Sequence, residues 1–277
     1  MAHPQIAAFA RLANGSAKPT RSIAGQNTLI TRTIHDMAYD PVRDEIVVPQ
    51  FFAFAVLTFR GDANGNVAPV RKIFGPSTQI KNPDSMALDP VHGEIFVPQD
   101  DNTILVFPRD ANGDVAPIRI LKTGNRNPNR MVIDPVHNLL IVSGGPELRI
   151  WDRTASGDTP PKAVIRIPRG PYNPARSSPE EEGGGGGGTQ TALMAVNPAT
   201  GMVFVNVRVG GRFRLEDYVG VWSVFDKGEV APRWTIGGPG NLLKDVRGIA
   251  LDPKTKHVMI SDKTHNAIFT FSVPEAF

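Results

Sequence analysis

Cysteine is absent from the 277 residues, so the chain can form no disulfide and can carry no thiolate nucleophile or cysteine-ligated zinc ion. Long apolar runs are missing as well, and no segment approaches the ~20 residues that a membrane-spanning helix needs. The opening segment, MAHPQIAAFARL, has no apolar stretch of the kind found in signal peptides. A mature chain that starts at a new methionine fits this pattern, and we favour a secreted or periplasmic location over the cytoplasm.

A strong excess of charge of one sign is also missing. The formal net charge is +3, charged residues make up 21% of the chain, and lysine and arginine are scattered rather than gathered on one helix. This distribution is typical of a solvated surface and not of a nucleic-acid interface. The expected partner is therefore a small molecule, a glycan or a protein.

The chain is rich in internal repetition. One phrase occurs in five copies, which read MAYDPVRDEIVVPQ at 37–50, MALDPVHGEIFVPQ at 86–99, MVIDPVHNLLIVSG at 131–144, MAVNPATGMVFVNV at 194–207 and IALDPKTKHVMISD at 249–262. Successive anchor residues are 49, 45, 63 and 55 positions apart, and they are Asp40, Asp89, Asp134, Asn197 and Asp252. Such spacings are close to the roughly 40–50 residues of a β-propeller blade.

A second phrase lies between the anchors, as VLTFRGDANGNVAPVRKIFG at 56–75 and ILVFPRDANGDVAPIRILKTG at 104–124. Each repeat thus offers four short runs of β-branched and aromatic residues, separated by turn residues and without helical periodicity. We name these strands a, b, c and d from the central channel outward. The Asp-Ala-Asn-Gly segments at 62–65 and 110–113 resemble the start of a calcium loop, but Asn-Gly before a new strand predicts a hairpin turn instead.

These repeats predict one all-β domain over residues 1–277, a β-propeller of five blades with four antiparallel strands each. The N-terminus supplies strands c and d, four complete sets follow, and the C-terminus supplies a, b and c. We expect the N-terminal strand d to complete the last blade and close the ring. The spare strand, IAAFARL at 6–12, then lies outside strand d or pairs with another protomer, which would give a monomer or an edge-strand dimer. A ring of six blades is the alternative.

The repeats share a pattern that resembles NHL-type and related bacterial β-propellers. It reads apolar-A-x-D-P-x-x-G-x-I-x-V, followed by a b–c turn and I-x-V-F. The resemblance covers nearly the whole chain outside 169–190 and implies the propeller architecture. Rings of that family usually have six blades, so a count of five departs from its habit. The family includes scaffolds, ligand-binding proteins and some enzymes, and the resemblance therefore names no activity.

Propeller sites usually lie at one mouth of the channel, on the d–a and b–c loops. The repeat places there a group of charged residues that could act in catalysis or hold a metal ion. Candidate catalytic residues are His35, Arg130 and Arg247, with histidine as a general base and arginine as an anion clamp. Carboxylate and amide oxygens could hold a divalent ion such as calcium, magnesium or zinc, and the candidates are Asp36, Asp84, Asn129 and Asp262. A hydrated rim with ordinary ion pairs is the simpler interpretation.

Two insertions interrupt the repeat at the same mouth. The Gly-rich segment 169–190 predicts a flexible d–a loop, and 208–218 predicts a long b–c loop. Candidate ligand-binding residues on the mouth loops are Phe51, Phe52, Asp100, Arg208, Arg212, Arg214, Tyr218 and His265. Two further histidines, His92 and His137, each end a D-P-V-H segment. They fall in a–b turns at the opposite end, and this position predicts a structural role.

Two classes of function follow. The first is a propeller that binds a small molecule, glycan or protein at this mouth. The second is an enzyme: either a metal-dependent hydrolase or lactonase resembling the gluconolactonase type, or a polysaccharide lyase with His35 as base. The sequence contains no compact catalytic motif such as G-x-S-x-G or H-E-x-x-H, which favours binding over catalysis.

Overall fold

The computed structural model describes residues 4–32, 34–124, 128, 130–168, 190–209, 216–237 and 242–277. Within those ranges the chain forms 22 strands and short 3₁₀ turns, which cover Gln26–Thr28, Phe51–Ala53, Pro76–Thr78 and Pro274–Ala276. No helix in the described part is long and apolar enough to cross a membrane. The Gly-rich insertion, apart from Gln190, and residues 210–215 of the long b–c loop lie outside the described residues.

The chain divides into two compact units, one of Met1–Asn127 with Ser156–Asp158 and one of Pro128–Ala155 with Thr159–Phe277. In the first unit, strands β1 and β2 form a two-stranded sheet, Gln5–Ala8 with Arg21–Ala24. Two four-stranded antiparallel sheets follow. Their strands are β3 (Ala38–Asp40), β4 (Glu45–Gln50), β5 (Ala55–Arg60) and β6 (Arg71–Ile73), then β7 (Ala87–Asp89), β8 (Glu94–Pro98), β9 (Thr103–Pro108) and β10 (Arg119–Lys122).

The second unit contains three further sheets. The first is built from β11 (Arg130–Asp134), β12 (Leu139–Gly144), β13 (Glu147–Asp152) and β14 (Ala163–Arg166), to which β18 (Gly228–Glu229) adds in parallel. The next contains β15 (Gln190–Asn197), β16 (Met202–Val209), β17 (Glu216–Ser223) and β19 (Trp234–Gly237). The last has three strands, β20 (Val246–Asp252), β21 (His257–Asp262) and β22 (Ala267–Ser272).

The strand order confirms the predicted repeat. Each complete sheet runs a-b-c-d in chain order, the C-terminal sheet has a, b and c, and the N-terminal pair β1–β2 supplies c and d. Closure of the ring by the N-terminal strand d stays a prediction. Within its own unit β2 pairs with β1 along one edge, and Ile23 forms a parallel bridge with Gly65 along the other.

Neighbouring sheets pack face to face, which explains why their inner strands are apolar on both faces. One buried cluster joins Val47 and Val56 of the β3–β6 sheet to Ile95, Val97 and Phe107 of the β7–β10 sheet. A second joins β12 and β13 to β16, and a third joins β16 and β17 to β21. A sheet can bury both of its faces only when other sheets stack on it. The stacking of repeated sheets therefore accounts both for the repeated apolar strands and for the core between them.

Within each unit, segments of c–d loops bond to the outer edge of a strand d, in a contact that we call the interblade clasp. Gly65 donates its N–H to Ser22 O at 2.7 Å and accepts from Ala24 N at 3.1 Å. Gly113 makes the same pair of bonds to Lys72 and Phe74, at 2.7 and 3.1 Å. Equivalent bridges join Leu121 to Gly157 and Ile165 to Gly228. The Asn-Gly turns therefore also cover the open edge of strand d, a role that the sequence analysis missed.

Candidate functional site

The predicted mouth loops are held together by the glutamines that end or follow strand b. The side-chain Oε1 of buried Gln50 accepts the N–H of Thr31 at 2.7 Å, and Gln99 accepts the N–H of Lys81 at 2.5 Å. Each bond joins a b–c loop to the d–a segment that precedes its own sheet. As a result, side chains from both kinds of loop lie at one end of the first unit.

A row of aromatic rings occupies the first b–c loop. The rings of Phe51 and Phe52 meet edge to face with centroids 5.0 Å apart. The guanidinium of Arg32 lies 5.5 Å from the centre of the Phe52 ring, and the ring of His35 lies 6.1 Å from that of Phe51. Phe52 is 53% exposed although it is a large apolar side chain. An exposed aromatic ring with a cation over its face is a ready contact for a partner.

His35 continues this row toward the next sheet. Its Nδ1 is paired with Oδ1 of Asp84, which belongs to the d–a segment before β7. Arg32, Phe52, Phe51, His35 and Asp84 therefore form one contiguous set, which we call the aromatic surface. Three of its members were predicted as ligand or catalytic residues and Asp84 as a metal ligand, whereas Arg32 was missed.

Asp36 has a structural position beside this surface. Its carboxylate accepts the N–H of Met37 at 2.9 Å and, from the next sheet, the N–H of Met86 at 3.2 Å. Asp100, in the second b–c loop, accepts a hydrogen bond from the side chain of Asn82 at 2.8 Å. Both carboxylates thus fix loop geometry at this mouth.

Phe54 ends the aromatic loop in an unusual backbone conformation. Its φ of 51° lies in the left-handed region, and its side chain is 48% exposed. In the next sheet the equivalent turn has Asn102 at φ 65°, and asparagine tolerates this conformation well. A bulky apolar residue held there is a local strain of the kind that accompanies binding loops. The sequence alone does not show this conformation, because phenylalanine rarely adopts a positive φ.

In the second unit, Asp262 and His265 form a turn. The Asp262 carboxylate accepts the N–H groups of Lys244 at 2.6 Å, Asp245 at 2.9 Å and His265 at 3.0 Å, and it also contacts the His265 ring at 3.1 Å. Burial raises the pKa of Asp262, but these N–H donors lower it by a larger amount. The resulting pKa is about 2, below the ordinary value of 3.8. The same Asp-x-x-His contact occurs at Asp89–His92 and Asp134–His137, where the predicted role was structural.

The remaining candidates of this unit are spread over several strands. Arg208 donates to Asn206 at 3.2 Å and to Val246 O at 3.3 Å, and Arg247 pairs with Asp245 at 3.1 Å. Tyr218 packs against a core cluster, and burial raises the pKa of its hydroxyl. Arg130 begins β11 opposite Ser143. Asn129, Arg212 and Arg214 lie outside the described residues.

The described residues contain no group of three or more histidine, aspartate and glutamate side chains placed to hold a metal ion. The proposed ligands Asp36, Asp84 and Asp262 each have hydrogen-bond partners from the protein. What the geometry brings together is therefore the aromatic surface rather than a cluster of carboxylates.

Comparison with solved structures identifies the architecture. The β-propeller domain of Cps50 (Swd1) from Myceliophteria thermophila aligns with a TM-score of 0.56 at 10% sequence identity, covering 88% of this chain and 67% of that chain. The fold is a β-propeller. Its four complete sheets and the fifth, three-stranded sheet confirm the predicted five blades. At this identity, and with 1079 solved chains matching, the propeller likeness carries no function.

No family model matches this propeller, and no curated protein does. The similarity to NHL-type repeats therefore stays a resemblance. The function has to be argued from the residues of the mouth.

Proposed function

We propose that this propeller binds a protein partner through the aromatic surface of its first unit. The observation that carries the proposal is the contiguous row from Arg32 over Phe52, Phe51 and His35 to Asp84. Aromatic residues and arginine dominate the binding energy of protein interfaces, and a charged rim around them supplies specificity. Propeller folds are consistent with partner binding in general.

The contrast between repeats supports this location. The first b–c loop has Phe51, Phe52 and Phe54, whereas the second has Asp100 and Asp101 in the corresponding turn. An exposed phenylalanine does not stabilise a loop that only connects two strands. Its apolar surface stays in water, so no favourable free energy of burial is gained. The strained backbone of Phe54 adds to the argument, since it holds one of these rings at the rim.

The test uses a phage-displayed library of random peptides, selected on the full chain. The affinity of each selected peptide is then measured for the unmodified chain and for the variants Phe52→Ala and Arg32→Ala. We expect each substitution to weaken binding at least 10-fold, because alanine removes the stacked ring or its cation. The matched control is Phe74→Ala, since Phe74 is 48% exposed, close to the 53% of Phe52, but follows strand β6 and does not belong to the b–c loop.

Two outcomes would contradict the proposal. One is that no peptide is enriched over the library background. The other is that the enriched peptides bind Phe52→Ala as tightly as the unmodified chain, which would place the contact elsewhere. Weaker binding to Phe74→Ala alone would have the same meaning.

An enzyme is the second candidate, and the pairing of His35 with Asp84 favours it. A carboxylate that orients a histidine leaves the other ring nitrogen available as a general base. The chemistry would be that of a metal-dependent hydrolase or lactonase, or of a polysaccharide lyase. Elemental analysis of the purified chain, with melting recorded before and after chelation, tests the metal-dependent version: a stoichiometric ion whose removal lowers the melting temperature would support it.

A further inference from the structure

Three turns of the chain share the tripeptide Ala-Asn-Gly, at 13–15, 63–65 and 111–113, and no other asparagine precedes a glycine. Asparagine loses its side-chain amide most readily before glycine, because glycine has no side chain to hinder attack by its nitrogen on the amide carbon. In each turn the alanine donates its N–H to the carbonyl three positions earlier, and the asparagine is exposed. Local sequence and access to solvent therefore do not distinguish the three asparagines.

The second of these turns binds both of the groups that would have to react. Asn64 Oδ1 accepts the N–H of Ser22 at 3.1 Å, and Gly65 donates its N–H to Ser22 O at 2.7 Å. The following side chain adds a bond, since Asn66 Oδ1 accepts the N–H of Asn27 at 2.8 Å. The amide and the nitrogen that would attack it can react only after this clasp opens locally.

The third turn is held in the same way on the next sheet. Asn112 Oδ1 accepts the N–H of Lys72 at 3.0 Å, and Gly113 donates its N–H to Lys72 O at 2.7 Å. Here Asp114 follows the glycine, and its carboxylate accepts the N–H of Ser77 at 2.7 Å. Both clasped turns thus use the asparagine amide and the glycine nitrogen to bind a strand d.

The first turn, between β1 and β2, has none of these bonds among the described residues. Gly15 donates its N–H to Oδ1 of Asn14 itself at 2.7 Å, so the attacking nitrogen lies beside the amide that it attacks. Ser16 has the position that Asn66 and Asp114 have in the other two turns. The groups that form a clasp elsewhere are therefore bonded to each other here.

Packing distinguishes the turns in the same sense. Ala63 and Val67 of the second turn are partly buried against one core cluster, and Ala111 and Val115 of the third against another. Every residue from 9 to 21 is exposed. The first turn therefore has neither the hydrogen bonds nor the apolar contacts that restrain the other two.

We propose that Asn14 is a site of spontaneous deamidation in the folded protein, where aspartate and isoaspartate accumulate while Asn64 and Asn112 persist. The Gly15 nitrogen gives up its proton and bonds to Cγ of Asn14, the Cγ–Nδ2 bond breaks, and ammonia leaves. Water then opens the cyclic imide at either carbonyl, which gives aspartate or isoaspartate. Each event consumes one water and releases one ammonia without oxidation or reduction, and the exposed turn gains a carboxylate.

Peptide mapping by mass spectrometry tests the proposal on the unmodified chain, incubated at mildly alkaline pH. Trypsin cleaves after Arg11, Arg60 and Arg109, so the three asparagines fall on separate peptides. We expect Asn14 to deamidate at least about 10-fold faster than the other two, a ratio that corresponds to about 1.4 kcal/mol for opening a clasp. In urea the three rates should converge, because the tripeptides are identical. Asn14→Gln should remove the fast-forming product.

Two glycine variants test the role of the clasps, and each is the control for the other. A Cβ atom at Gly25 or Gly75 would lie 2.5 or 2.4 Å from the Cγ atom of the side chain that follows the clasp glycine. Each substitution therefore loosens one clasp. We expect Gly25→Ala to speed the deamidation of Asn64 alone, and Gly75→Ala to speed that of Asn112 alone.

Equal rates at the three asparagines of the folded chain would overturn the proposal. A slow reaction at Asn14 would do so too, since it would show that this turn also forms a clasp. Rates that still differ in urea would mean that the fold does not set them. If either glycine variant speeds the reaction at both Asn64 and Asn112, general unfolding rather than the clasps controls the chemistry.

Discussion

Arg109, at the end of strand c in the β7–β10 sheet, pairs with Asp40, the anchor residue of the β3–β6 sheet, and the two side chains are only 5% and 0% exposed. The same aspartate accepts the N–H groups of Val42 and Arg43 in the a–b turn. One carboxylate therefore shapes its own turn and binds the neighbouring sheet. Asp40 thus has a packing role beyond the turn that the Asp-Pro phrase predicts.

Replacing Arg109 should destabilise the protein severely, because the Asp40 carboxylate would remain buried without its cation. We expect Arg109→Leu to lower the free energy of unfolding by about 3–5 kcal/mol in urea titrations. Arg60→Leu is the control, since Arg60 and Asp62 form an exposed pair, 70% and 62% accessible, and its loss should be undetectable. Equal effects of both substitutions would refute the role of burial.

Gly75 should not accept a side chain, because the interblade clasp closes over it. Its φ is 134°, and a Cβ atom there would lie 2.4 Å from the Cγ of Asp114, which accepts the N–H of Ser77 at 2.7 Å. We expect Gly75→Ala to cost clearly more than about 1 kcal/mol in thermal unfolding. The comparison is Gly15→Ala, which has a positive φ but open space around it and should cost about 1 kcal/mol.

Acid should remove the stabilising effect of Asp262. Its folded pKa of about 2 lies below the ordinary value of 3.8, so its contribution is complete above pH ~4 and is lost as the pH falls toward 2. Urea midpoints of the unmodified chain and of Asp262→Asn should differ most at neutral pH and converge near pH 2. Asp158→Asn, at a carboxylate 80% exposed, controls for the lost charge. A difference that is constant with pH would contradict this assignment.

Phe54→Asn should weaken peptide binding without lowering the stability of the fold. Asparagine accepts the left-handed backbone that Phe54 adopts, so we expect stability to be unchanged or to rise by up to about 1 kcal/mol. Peptide binding at the aromatic surface should weaken at the same time. Phe74→Asn, at an equally exposed residue without positive φ, should bring no gain in stability. A lower melting temperature for Phe54→Asn would mean that its ring stabilises the loop.

The repeat made the architecture predictable, because the same pattern of strands occurs five times and each copy has to bury the same apolar faces against neighbouring sheets. Strand content, the a-b-c-d order and the incomplete strand sets at the two ends all followed from it. Phe51 and Phe52 were predicted as binding residues, and the structure places them together with His35 and Asp84. Arg32 and Phe54 were missed, because the position of the Arg32 guanidinium over the Phe52 ring and the positive φ of Phe54 exist only in the folded chain.

The sequence by itself determined what depends on neighbours along the chain: strand periodicity, Asn-Gly and Asp-Pro turns, and the absence of thiol chemistry. Only the tertiary structure decided what depends on separate repeats meeting. The clasp of Gly65 on β2, the buried pair of Arg109 and Asp40 and the row from Arg32 to Asp84 each join residues from different sheets. Such contacts arise from the stacking of sheets, which fixes distances that no local pattern encodes.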